Sequence, residues 1–82
     1  MQKEKVLLQT EFMDSLGEGE FQVKIVRHFS NPVFGDAVEV DITHPEENFI
    51  ETYAPKEFPE QFYSDLDFRG WSFVAEEIKE RL

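Results

Sequence analysis

The segment Asp41-Ile42-Thr43-His44-Pro45-Glu46-Glu47 is the only stretch that gathers the residue types of a metal site. Carboxylate oxygen and imidazole nitrogen suit Zn²⁺ and similar ions, but a first coordination shell needs three or more such ligands to converge. On a strand that ends in a turn, Asp41 and His44 fall on opposite sides of the pleat unless the turn rotates the histidine. A third ligand would have to come from Glu46, Glu47 or the more distant His28. A metal-assisted enzyme at Asp41 and His44 therefore ranks third among the readings. No metal and no cofactor is assigned.

Nucleophilic chemistry has fewer resources still. There is no cysteine, and the serines fall in turns or near helix starts without a motif that would activate one. The glycines at 17, 19, 35 and 70 do not open a strand-to-helix phosphate loop. With 18 acidic residues, some carboxylates will lie close by chance, so paired acids alone signal nothing. The chain reads as a non-enzyme.

What remains is charge. Eighteen acids against eight Lys and Arg leave a net charge of −10, an imbalance that costs stability through self-repulsion. It is also unevenly spread. After Arg27 no Lys or Arg occurs until Lys56, while Asp36, Glu39, Asp41, Glu46, Glu47 and Glu51 all fall in that gap. Affinity for phosphates comes from Lys and Arg, so direct binding to nucleic acid or to anionic lipid is disfavoured. The balance suits a positively charged protein partner. The candidate partner-binding residues are Glu39, Asp41, Glu46, Glu47 and Glu51, acting through charge, with Tyr53 as an aromatic packing anchor.

These residues sit on a chain whose apolar periodicity predicts four strands and then two helices. Phe21, Val23, Ile25 and Phe29 alternate with Gln22, Lys24 and His28, the period of a half-buried strand. Residues 5–13 give a first strand with Val6, Leu8, Thr10 and Phe12 inward, Leu7 and Met13 spoiling the alternation. A Gly-containing turn from Asp14 to Glu20 joins the two. Residues 30–36 form the next turn, in which Val33-Phe34 either folds back to cap the core or makes an exposed contact tip. In the third strand, residues 37–43, Val38, Val40 and Ile42 point in and Glu39, Asp41 and Thr43 point out. Glu39 and Asp41 then share a face about 6.7 Å apart.

The fourth strand, residues 49–54, is ambiguous. Because burying a lone carboxylate is costly, Glu51 is expected outward, with Phe49 and Tyr53 beside it and Ile50, Thr52 and Ala54 in the core. Short loops favour an antiparallel meander. Beyond Lys56 the period changes. Residues 58–66 suit a short helix with Pro59 at its first position, Phe62 and Leu66 forming its apolar side. Trp71, Val74, Ala75, Ile78 and Leu82 then form the stripe of an amphipathic helix, capped by Ser72 and closed by Lys79 and Arg81, with Phe73 off the stripe and exposed. The expected fold is α+β: a four-stranded antiparallel meander with a C-terminal helix, preceded by a short helix, packed on one face.

The 82 residues make a single domain, 1–82, without repeats or linkers. No run approaches the ~18 apolar residues of a membrane span and no signal-peptide core follows the start, so a cytoplasmic protein without membrane contact is expected. In size and acidity the chain is similar to small phage-encoded inhibitors that imitate DNA, such as uracil-DNA glycosylase inhibitor and several anti-CRISPR proteins. No residue motif accompanies that likeness, and no site is carried over from it. The leading reading is a small acidic interaction protein that blocks a basic, nucleic-acid-binding protein surface by imitating phosphate charge. The alternative is a structural or adaptor domain that self-associates, for instance as a homodimer, through a sheet edge or exposed aromatics.

Overall fold

A computed structural model describes residues 3–33 and 35–82. Four strands come first: β1 (Glu4–Met13), β2 (Glu20–Asn31), β3 (Gly35–Thr43) and β4 (Asn48–Tyr53). Two helices follow, α1 (Glu60–Phe68) and α2 (Ser72–Arg81). The strands pair in sequence order, β1-β2-β3-β4, every neighbour antiparallel. This is the expected meander in the expected α+β arrangement. Among the described residues no helix is long and apolar enough to cross a membrane.

The inner face of the sheet carries Phe12, Phe21, Val23, Ile25, Val38, Val40 and Ile42, and the helices close it with Phe62, Leu66, Val74, Ala75 and Ile78. Two aromatic knots hold the layers together. Phe62 lies among Phe49, Tyr53, Phe58 and Tyr63, with ring centroids 5.5–6.1 Å away. Phe21 meets Phe12, His44, Trp71 and Phe73 at 4.4–5.6 Å. Phe73 is thus part of the core's rim and not an exposed residue. Trp71 is only half-buried, because it precedes the helix and its outer side lies beneath Arg69 at 5.2 Å. Ser72 does not cap α2; its hydroxyl donates to the Asp67 carboxylate across the bend. That bend is closed by Gly70 at φ +87°, with Trp71 N–H donating to the Leu66 carbonyl at 2.8 Å and Gly70 N–H to that of Asp67 at 3.0 Å. This is the Schellman arrangement, which favours a glycine at the left-handed position.

Three expectations are corrected by strand geometry. A bulge in β1 sets Val6 opposite Val26 but Leu8 opposite Ile25, so Leu7 is an extra residue and the facing reverses there. Val6 accordingly points away from the helices and stays 47% exposed. In β4, Phe49 and Tyr53 are core residues at 4% and 5% exposure, while Ile50 is 63% exposed. Burying two aromatic rings removes ~150–250 Å² each from water, which outweighs exposing one isoleucine. The carboxylate cost that favoured the opposite facing is avoided because β4 is an edge strand: Glu51 lies on the helix side yet remains exposed. At the β2–β3 turn Val33 is 84% exposed and does not cap the core; Phe34 lies outside the described residues.

Candidate functional site: an open acidic sheet face

Both helices cover one face of the sheet and leave the other open. The strand registers determine which side chains occupy that open face. From β1 come Glu4, Val6, Gln9, Glu11 and Met13; from β2, Glu20, Gln22, Lys24, Val26 and His28. Strand β3 adds Ala37, Glu39, Asp41 and Thr43, opposite Ile50 and Thr52 of β4. Carboxylates Glu4, Glu11, Glu20, Glu39 and Asp41 therefore share this surface with one lysine, Lys24, and one histidine, His28. A shallow trough runs along it, with depressions of about 560 and 160 Å³ that share Lys24 and Asp41 in their linings.

His28 anchors the narrower end. Its side chain is only 7% exposed, with Nε2 3.0 Å from Glu39 Oε1 and Nδ1 3.7 Å from Glu4 Oε2. The imidazole thus joins three strands, and Val26 beside it is buried although it points away from the core. A histidine with a carboxylate on each side is a polar cross-strand link first of all.

Of the acids expected to act together, the structure unites Glu39 and Asp41 on this face and separates the others. Glu46 and Glu47 lie in the β3–β4 turn, where Glu47 accepts from Arg69 at 2.6 Å on the helix side. Glu51 is on the opposite face, beside Phe68 and Arg69. Tyr53 is not an exposed anchor: it is in the core, and its hydroxyl donates to Asp65 Oδ2 at 2.6 Å. Burial first, and then that hydrogen bond, push its phenol well above the usual range.

His44 and Asp41 do not converge either. The His44 ring stacks on Phe21 at 4.4 Å on the helix side, whereas Asp41 faces the open side. Nδ1 of His44 accepts the Glu46 N–H at 3.2 Å, and Nε2 lies 3.0 Å from Asp14 Oδ2. Nδ1 thereby braces the β3–β4 turn from within, and Nε2 links it to the β1–β2 turn. Gly19 packs into the same contact, where a Cβ would come within 2.8 Å of Pro45. Among the described residues no three His, Asp or Glu are placed to hold a metal ion.

No family model, curated protein or solved structure matches this chain.

Function must therefore be read from the surface itself. Sequence reasoning missed Glu4, Glu11 and Glu20 as members of the acidic face because it followed the base-free run between Arg27 and Lys56. The signal was available. Once the meander is assumed, the outward positions of β1 and β2 fall on the same face as Glu39 and Asp41.

Proposed function

We propose that this protein is a small acidic binding module that occupies a basic surface of a partner protein, of the kind that grips nucleic-acid phosphates, and inhibits it by imitating their charge. One observation carries the reading: the whole open face of the sheet presents carboxylates from three adjacent strands with a single lysine among them. Strands lie ~4.7–4.9 Å apart, and carboxylates two positions apart on one strand are ~6.7 Å apart. The face is thus a fixed two-dimensional array of negative charge. A rigid array loses little conformational entropy on binding and steers a cationic partner from a distance. The two edge strands of the sheet add apolar contact through Val6 and Ile50, both exposed.

The test begins with a partner captured on immobilised protein, followed by competition with duplex DNA or RNA for that partner. The pair Glu39→Lys/Asp41→Lys should slow association roughly tenfold or more at low salt. The pair Glu18→Lys/Glu80→Lys changes net charge equally at other exposed positions, and at 0.15 M salt, where the Debye length is about 8 Å, should slow association clearly less than the first pair. Equal losses from the two pairs, or a partner indifferent to nucleic acid, would sink the reading.

A further inference from the structure

The edge of β4 adjoins the acidic face. An edge strand turns part of its backbone N–H and C=O groups away from its one neighbour, ready to pair with another chain. The two edges of this sheet are treated differently. Strand β1 is interrupted by the bulge at Leu7 and carries Glu4 and Lys5 near its start and Glu11 near its end. Strand β4 has no register break against β3 and contains no Pro or Lys. Ile50, Glu51 and Thr52 are exposed in succession, so neither side of the pleat is covered there.

Beside this edge, on the helix side, lies a depression of about 380 Å³ lined by Phe49, Glu51, Asp65, Phe68 and Arg69. The Phe68 ring is 94% exposed at its rim. The one base in it is already engaged: Arg69 holds Glu47 at 2.6 Å and lies over the Phe49 ring at 4.8 Å. Asp65 accepts from Tyr53 and Gln61. Glu51 and Asp65 therefore leave the depression negative, with an aromatic face at its edge.

We propose that the edge of β4 takes an extended basic segment of the partner as a fifth strand, with a Lys or Arg of that segment seated beside Glu51 in the depression between β4 and α1. This rests on the reading that the partner is basic, and it assigns how the partner docks. Main-chain hydrogen bonds to β4 supply affinity, and alternate side chains supply selection. A lysine or arginine has the right form for the depression, its aliphatic stem lying along Phe68 and its charge reaching the two carboxylates. On the other side of the pleat, the intervening residues meet Ile50 and Thr52, with Glu39 and Asp41 one strand further in. A second copy of this chain is the wrong occupant. Each copy carries −10, and pairing β4 with β4 sets like charges from Glu51 against one another.

The experiment uses a blocked octapeptide of alternating lysine and valine and the same peptide N-methylated at every amide, which keeps the charge and removes the backbone donors. The unmethylated peptide should shift and protect the amides of residues 48–53. Methylation should weaken binding about tenfold or more, and Glu51→Gln should weaken the unmethylated peptide several-fold. If both peptides bind equally, with shifts confined to the face of Glu39 and Asp41, the basic-partner reading stands and the edge is ruled out. If neither peptide binds, both fall. Sedimentation that shows concentration-dependent dimers lost on Thr52→Lys would make the second copy the occupant and overturn the proposal.

Discussion

The two faces of this molecule treat the same residue type in opposite ways. On the helix side three acids are answered by bases: Lys79 lies 3.4 Å from Glu76, Arg81 lies 3.2 Å from Glu77, and Arg69 binds Glu47. On the open sheet face Glu4, Glu11, Glu20, Glu39 and Asp41 share one lysine and a histidine. The two sides therefore differ in how many of their acids have a basic partner, within a net charge of −10. Helix α2 pairs two of its acids within itself, α1 carries Glu60, Asp65 and Asp67 without a base of its own, and the open face sets five carboxylates against one lysine.

The most disruptive way to break the comparison is to remove what makes the faces differ. Phe62→Ala takes away the ring around which α1 packs on the sheet and should cost ~3–5 kcal/mol, a large part of the ~5–15 kcal/mol that holds a typical domain together. Chemical denaturation should show it. Trp71→Ala should cost clearly less, because that ring is half-buried.

Charge reversal sharpens the contrast at smaller cost. Glu76→Lys/Glu77→Lys breaks two helical ion pairs and sets like charges together, which should lower stability by ~0.3–1 kcal/mol. Glu11→Lys/Glu20→Lys on the open face relieves repulsion and should leave the melting temperature unchanged or raised. Melting curves at low salt decide between them. If the two pairs behave alike, the faces are not electrostatically distinct.

Alkaline pH probes the two tyrosines of the helix side. The folded state raises the Tyr53 phenol, so it keeps its proton where an unfolded tyrosine, with pKa about 10, gives it up. The stability this contributes is complete below that pH and is lost as pH climbs above it. Tyr63 is raised by burial as well, so Tyr53→Phe should flatten the alkaline fall in stability without abolishing it. An unchanged slope would mean that the Asp65 contact is not maintained in solution.

The smallest effect is that of salt. Raising ionic strength from 0.01 to 0.15 M shortens the Debye length from about 30 to 8 Å, which should lift the wild-type melting temperature modestly. The gain should shrink in Glu11→Lys/Glu20→Lys. Flat melting in the wild type would mean that the open-face acids are already compensated.

Periodicity made most of the fold legible. The runs around Phe21 and Val38 and the stripe from Val74 to Ile78 repeat with the period of their element, so strand, meander and helix followed directly. The facing of β4 did not, since Phe49, Glu51 and Tyr53 alternate with Ile50 and Thr52 and both sets contain apolar side chains. Only the position of β4 at the sheet edge, next to α1, resolves it. The bulge at Leu7 was hidden for a related reason: Leu7 and Leu8 are both apolar, and sequence does not reveal which is the extra residue. The acidic site was half legible. Glu39 and Asp41 were found from their strand, but Glu4, Glu11 and Glu20 become its neighbours only through pairings that bring distant residues together. Glu47 was lost to Arg69, a contact 22 residues apart in sequence.

The strand order has a consequence for how the molecule comes to exist. Each strand pairs only with the one made just before or after it, and the turns between them are brief. Little chain has to be looped out before a favourable contact forms, so the entropy of closure is met in small steps. Successive hairpins can zip from either end, and the helices follow β4 in the chain directly onto the face they cover. Proteins assembled from such local contacts reach their native state quickly.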